Sequence, residues 1–496
     1  MYLLGYDIGS SSVKAALVDA TTKKAISVVQ YPESEMSILS IQPGWAEQDP
    51  EWWWQAVCKS TRKLLSDNNV DTDSIKSIGI SYQMHGLVIV DKDLKVIRPS
   101  IIWCDSRASK IGDQAFRELG SDHCLTRYLN SPGNFTASKL KWVKENEPKS
   151  YDKACKMMLP GDYIAMRMTG EITTSASGLS EGILWDFKEH RVAEELVDHL
   201  NLDRSLIPEI KDVFEERGVL TTSASASMGL KKGIPVSYVA GDQPNNAFSL
   251  GVLEDNEVAA TGGTSGVIYG VTDQPLYDLK SRVNGFAHVN YRSEDPKIGI
   301  LLCINGSGIL YSWMKKHVVP KGMDYNEMEK MMENIPVGSD GLSILPFGNG
   351  AERVLNNRNP GATIQNLQFN RHSRAHLLRA SLEGIAFSFA YGFKIMKQMG
   401  IDPSIIRVGN DNLFQSKVFS TTVSNLIGVP IEVRKTTGAI GAAKGGGYGA
   451  GVYRDLKETL TDDEVVDNFV PEEQIESYTT SYSDWESRLE HLMKNV

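Results

Sequence analysis

Two aspartates carry the chemistry this chain suggests first. Asp242 closes an apolar run, Val236–Ala240, as the middle residue of Gly241-Asp242-Gln243. About twenty residues on comes a loop of small residues, Thr261-Gly262-Gly263-Thr264-Ser265-Gly266, between two further apolar runs. Hydroxyls, bare N–H groups and the close approach glycine permits suit a phosphate. A carboxylate at a strand's carboxyl end, with such a loop behind it, suits transfer of a phosphoryl group to an acceptor that must lose a proton. Asp7 opens a similar loop, Asp7-Ile8-Gly9-Ser10-Ser11-Ser12, between the expected strands Tyr2–Tyr6 and Val13–Asp19. Lys14 can aim an ammonium at it. Taken singly, each part is more often a turn aspartate and an ordinary hairpin. Their recurrence (strand, Gly/Ser/Thr loop, strand) at very long spacing argues for a duplicated, two-lobed fold.

Other candidates follow apolar runs in the same way. Ile75–Ser81 runs into Gln83-Met84-His85-Gly86. A lone histidine is usually structural; beside Gln83 and before a glycine it reads equally as a donor to a hydroxyl-rich ligand. Trp103-Cys104-Asp105-Ser106-Arg107 follows a short apolar run. Lys297–Ile304 ends at Asn305-Gly306-Ser307-Gly308, a strand-to-helix turn that can face a nucleotide. Ile405–Val408 ends at Gly409-Asn410-Asp411-Asn412. Gly438–Gly451 has a helical alanine core but many glycines. Each interior glycine costs about 1 kcal/mol against alanine, so close approach of another backbone or of a flat ligand such as adenine is expected.

The elements that must hold these residues are legible by their caps and stripes. Asp49 is placed to cap a helix with Pro50 in its first turn and Trp53, Val57 and Leu64 inward. Phe135–Asn146 reads as a helix, and Met158–Tyr163 opens another. Thr173–Ser180 is polar and reads as a loop. Leu342–Phe347 reads as a strand, and Ser373 caps a long helix from Arg374 to Met399. A last helix is expected over Asp484–Lys494 behind Ser483. The hydroxyl-rich stretch Thr221–Ser227 and Gly233 precede the expected division into residues 1–240 and 241–496.

A chain of 496 residues is too long for one core. Its formal net charge of −10 argues against nucleic acid or an anionic membrane as the main partner. Five cysteines in no regular framework suit a reducing cytoplasm and not a zinc site. No basic leader precedes Asp7, and no apolar run is long enough to span a bilayer.

Taken in order and spacing, the motifs resemble the FGGY carbohydrate kinases. They are Asp7-x-Gly9-Ser10-Ser11-Ser12-x-Lys14, Pro43-Gly44-Trp45-x-Glu47-Gln48-x-Pro50, Gln83-Met84-His85-Gly86, Trp103-x-Asp105-x-Arg107, Gly241-Asp242-Gln243, Gly263-Thr264-Ser265-Gly266 and Leu382-Glu383-Gly384. The resemblance covers about residues 2 to 455. Gln-Met-His-Gly looks like the xylulokinase branch of that family. The resemblance implies an α/β fold: two ribonuclease H-like lobes, as in actin and the sugar kinases, around a central cleft. It implies a sugar bound by the N-terminal lobe, ATP by the C-terminal lobe, and Mg²⁺. Asp242 would be the general base. Gln83, Met84, His85, Asn134 and Gln243 would meet the sugar, with Trp103 and Asp105 as further wall. Asp7 would orient Mg²⁺ through water. Ser10, Ser11, Ser12 and Lys14 would hold the transferring phosphate, and Gly263 and Thr264 the β/γ phosphates. Gly306 and the turn from Gly409 to Asn412 would line the nucleotide. The family's usual Gly-Gly-Gly-Ala turn is replaced by Gly409-Asn410-Asp411-Asn412. The acceptor implied is a ketopentose, D-xylulose first, with ribulose, gluconate, fuculose or glycerol as alternatives. A non-catalytic sugar-responsive regulator is the rival from another class. Partners are the sugar and ATP alone, with a homodimer left open.

Overall fold

The computed structural model describes residues 1–460 and 464–494. Two sheets organise it. The first holds β1 (Tyr2–Ile8), β2 (Val13–Asp19), β3 (Ala25–Tyr31), β4 (Ile75–Tyr82) and β5 (Val236–Gly241), in the order β5-β4-β1-β2-β3. The second holds β6 (Val258–Gly262), β7 (Gly266–Thr272), β8 (Asn284–Ala287), β9 (Ile298–Ile304), β10 (Ile406–Gly409), β11 (Ile431–Arg434) and β12 (Val465–Phe469). Its order is β8-β9-β7-β6-β10-β11-β12.

Without its edge strands β8 and β12, the second sheet repeats the first. In each, the first strand pairs antiparallel with the second and parallel with the fourth. The second pairs antiparallel with the third, and the fourth parallel with the fifth. A twice-used order with the same sense at every step is the signature of a duplicated fold. It puts both glycine/hydroxyl hairpins, β1–β2 and β6–β7, at equivalent places.

Local chemistry explains the helices that carry the site. The helix Pro50–Asn68 (α1) starts where Asp49 accepts from the Glu51 N–H, with Pro50 in the first turn. Trp53, Val57 and Leu64 are fully buried beneath it. The long helix Arg374–Gln398 begins behind Ser373 as expected. Two expectations are corrected. Thr173–Ser180 is not a loop: its hydroxyls belong to a short strand and the helix Ala176–Glu181, all but Ala176 buried. Ser175 caps that helix, and Ser177 and Ser180 bond the strand backbone at Ala287, so polar composition here serves buried turns. The last helix starts at Glu476, not Asp484, because Tyr478, Trp485 and Leu489 form one buried stripe that extends it upstream.

Two helices cross between the sheets. Asp242–Ser249 leaves β5, the last strand of the first sheet, and Asn246 donates to Thr261 on β6 at 3.1 Å. Gly438–Gly449 follows β11 of the second sheet but packs on β1 and β4 of the first. A Cβ at Gly5 would come 2.1 Å from the Ala439 carbonyl oxygen, and one at Gly79 would come 1.8 Å from that of Ala442. On the helix itself, a Cβ at Gly446 would lie 2.9 Å from the Gly79 nitrogen and one at Gly449 2.0 Å from the Ser237 carbonyl oxygen, so of the two reasons for glycine the approach of another backbone is the one realised. The two crossing helices touch each other where Asn245 donates to the Gly438 carbonyl at 2.9 Å. Among the described residues no helix is long and apolar enough to cross a membrane.

Candidate active site

Asp242 stands at the start of its helix, on the tip of β5. Burial pushes its carboxyl up from 3.8 to about 7, and the charge of Asp7 adds to the effect. Its helix-start N–H groups and the Gln243 side chain pull the other way. The strand end thus presents a carboxyl held by Gln243, with a second carboxyl, Asp7, at the end of β1 of the same sheet.

Asp7 sits at the end of β1, opposite Lys14 in register. Burial raises its carboxyl, as does Asp411, while Lys14 and the Ser81 hydroxyl at 3.3 Å lower it. A methyl on Gly438 would lie 2.7 Å from it, so any larger residue there would push the Asp7 carboxyl aside. Among the described residues no three histidine, cysteine or acidic side chains gather as a metal cage. Asp7 and Asp242 repel each other, however, and a cation between them would relieve that repulsion. The donor set fits Mg²⁺ bound through one carboxylate, with phosphate oxygens and waters completing its shell.

Both hairpins have their carbonyls tied back. In the first, Ser10 accepts from Gln48 at 2.6 Å, Ser11 from the Met36 N–H at 2.7 Å and Ser12 from the Gly9 N–H at 3.0 Å. In the second, Gly263 accepts from the Gly308 N–H at 2.9 Å and Thr264 from the Ile309 N–H at 3.2 Å. A hairpin so restrained keeps lone pairs away from an incoming anion. Thr264 is exposed.

The sugar-loop candidates gather at the other side of Asp242. Met84 is buried and its side chain packs on Gly241, the residue before Asp242. Buried Gln83 donates to Gln48 at 3.4 Å, while its Oε1 has no hydrogen-bond partner. The Oδ1 of Asn134 is buried and unpartnered as well. His85 lies edge-on to Phe135, with ring centroids 4.8 Å apart. Burial, then Lys139, pulls its pKa down to about 3, so the ring is neutral. Its Nδ1 lies 2.9 Å from the Glu181 carbonyl oxygen, which can only accept. Nδ1 therefore carries the proton, and Nε2 is an acceptor, correcting the expectation of a donor. Trp103 is half exposed and donates to the Ser10 hydroxyl at 3.4 Å.

Three candidates are already engaged elsewhere. Asp105 is fully buried, accepting from the Ala46 N–H at 2.6 Å and from the Arg107 guanidinium. It is scaffold, not sugar wall, because both its oxygens are engaged. Gly306 has a φ of +92°, and a Cβ there would lie 2.0 Å from the Pro346 carbonyl oxygen. That contact alone demands glycine. The Asn412 amide shapes its own turn, accepting from the Phe414 N–H at 3.0 Å and donating to Gly409.

Sequence reasoning missed Gln48 as a bridge and passed over Tyr82, Lys139, Glu181 and Arg353. Gln48 joins the first hairpin to Gln83, and its Oε1 also accepts from Trp53 at 3.0 Å. The guanidinium of Arg353 stacks on Phe135 at 5.4 Å and reaches Asn284, a cross-lobe contact no local pattern announces.

Known families match this arrangement over most of the chain. The N-terminal domain model of the FGGY family of carbohydrate kinases matches residues 2–249, and its C-terminal domain model matches residues 258–450. The chain belongs to the FGGY family of carbohydrate kinases. Xylulose kinase of Bacillus subtilis (strain 168) is 28% identical over 467 residues, covering 92% of this chain and 90% of its own length. The solved xylulose kinase of Rhodospirillum rubrum is 24% identical and superposes with a TM-score of 0.86 over 99% of each chain. The gluconate kinase of Lactobacillus acidophilus is 21% identical, with a TM-score of 0.86 over 99% of this chain and 98% of its own. At these identities the superpositions establish the fold, which FGGY kinases named for different sugars share. An FGGY kinase must bring a sugar hydroxyl and a nucleotide together, and the cleft between the two hairpins is where this chain can do so.

Proposed function

We propose that the chain transfers the γ-phosphoryl group of ATP to a hydroxyl of a ketopentose, with D-xylulose giving D-xylulose 5-phosphate. The observation that carries the reading is a set of unused acceptors around Asp242. Gln83 Oε1 and Asn134 Oδ1 are buried without partners. His85 Nε2 is the lone-pair side of a neutral ring. Buried acceptors without donors are costly, and a polyhydroxylated neutral ligand supplies donors to all three. The naming of the similar relatives as xylulose kinases supports xylulose among the sugars.

In this reading the sugar lies on Met84 and Trp103, with its hydroxyls on Gln83, His85, Asn134 and Gln243. The hydroxyl that attacks points at Asp242. As the oxygen bonds to phosphorus, Asp242 takes its proton, the bond to the β-phosphate oxygen breaks and ADP leaves. Little covalent assistance is needed; placement and charge neutralisation do most of the work. Ser10, Ser11 and Ser12, with Lys14, hold the transferring group from one lobe. Gly263 and Thr264 hold the β/γ phosphates from the other, with Gly409 and the backbone around Gly306 nearer the nucleotide. Mg²⁺, when bound, neutralises phosphate charge, and Asp7 orients it. The five cysteines are free thiols, which suits a reducing cytoplasm.

The test is an ATP-consumption panel with Mg²⁺ and D-xylulose, D-ribulose, L-fuculose, gluconate or glycerol. D-Xylulose is expected to give the highest kcat/KM. Equal or faster turnover of gluconate or glycerol overturns the ketopentose assignment and leaves the kinase.

A further inference from the structure

A buried cluster behind the sugar loop has no part in the chemistry just described. His85 has a φ of +61°, a left-handed conformation that a residue with a side chain avoids unless its surroundings impose it. Three bonds impose it. The His85 N–H donates to Glu181 Oε2 at 3.0 Å. Its carbonyl accepts from Lys139 Nζ at 2.8 Å. Its ring Nδ1–H donates to the Glu181 carbonyl at 2.9 Å.

The holders come from separate elements. Glu181 ends the helix Ala176–Glu181, and Lys139 lies in the helix Thr136–Asn146. Both are almost wholly buried. The Tyr82 hydroxyl takes the other Glu181 oxygen, and Lys139 also donates to the Ile102 carbonyl at 3.0 Å. Burial pushes the Glu181 carboxyl well up and pulls Lys139 down to about 7, and among the described residues the two make no ion pair with each other; each grips an opposite end of the same residue. Burying a carboxyl and an amine is costly unless each finds hydrogen-bond partners. A purely packing role leaves that cost unexplained, whereas a fixed ring orientation accounts for it.

We infer that Glu181 and Lys139 are positioning residues for the sugar: they clamp the His85 backbone in its left-handed turn and aim Nε2 at the sugar as an acceptor. The inference rests on the sugar-site reading above. Neither residue needs to touch substrate.

The test is a double-mutant cycle read as separate KM values for D-xylulose and ATP. Glu181→Met keeps the volume and removes the acceptors. It is expected to raise the sugar KM about tenfold or more while the ATP KM stays within about twofold. Glu181→Gln keeps an oxygen for the His85 N–H and is expected within about threefold of wild type. In a His85→Ala background, Glu181→Met is expected to add less than about twofold, since the residue it acts through is gone. Penalties that multiply in the double variant, an unchanged sugar KM in Glu181→Met, or an ATP KM that rises equally would overturn the clamp. His85→Ala with an unchanged sugar KM overturns the sugar-site reading instead. Should Glu181→Met not fold, Lys139→Met, which removes the donor to the His85 carbonyl, carries the same cycle with the same criteria.

Discussion

At the scale of single residues, Asp242 is balanced between two needs. It must be ionised to accept a proton, yet burial and Asp7 hold its carboxyl at about 7. The kcat/KM for sugar is therefore expected to fall as pH drops through about 7, approaching tenfold per pH unit. A flat profile between about pH 5 and 8 would remove Asp242 from the proton path. Asp242→Asn keeps the shape and should bind both substrates while turning over at least ~10²-fold more slowly. The same raised carboxyl makes a stability prediction. The folded protein holds this proton more tightly than the unfolded chain does, so stability declines as pH rises from 3.8 to about 7. Asp242→Asn should melt above wild type at about pH 8, and the gain should shrink markedly at about pH 5 and vanish only near 3.8; calorimetry at the three pH values decides it. Asp242 was legible because its apolar run and the following small-residue loop are close in sequence. Glu181 and Lys139 were not. They reach His85 from 96 and 54 residues away, and nothing local marks a buried polar side chain that serves a backbone.

At the scale of elements, the first hairpin and the sugar loop share one support, Gln48. Gln48→Leu strands the Ser10 carbonyl and the Trp53 indole N–H, at about 1–3 kcal/mol for each buried group left unpaired. Steady-state kinetics should show both KM values rising together, unlike a His85 variant, in which only the sugar suffers. Loss of one KM alone would mean the two loops are independent. The glycine-rich helix is equally exacting. Gly79→Ala places a methyl 1.8 Å from the Ala442 carbonyl oxygen, so overpacking of about 1–3 kcal/mol is expected in urea denaturation. Helix starts with a capping side chain and a buried stripe were readable: Asp49 and Ser373 stand where the sequence places them. Thr173–Ser180 misled because serine and threonine satisfy buried turns as readily as they face water. Ser483 misled as a cap because the buried stripe runs past it to Tyr478.

At the scale of the whole molecule, the repeated strand order was foreshadowed only by the two hairpins. The rest of the duplication lies in pairings between distant segments, which no local period records. The crossing of Gly438–Gly449 was legible as a need for close contact but not as contact with the other lobe. That crossing decides how the chain can be cut. Residues 1–253 contain every strand of the first sheet, yet alone they would leave the bare glycine face of Gly5 and Gly79 open to water. Expressed separately, that fragment should be unstable. Co-expressed with residues 254–496, it should recover a soluble one-to-one complex that phosphorylates sugar, with circular dichroism and gel filtration as the readouts. A stably folded first fragment would show that the helix is dispensable there. Recovery of the active complex would make the gene divisible, and its two products each other's missing piece.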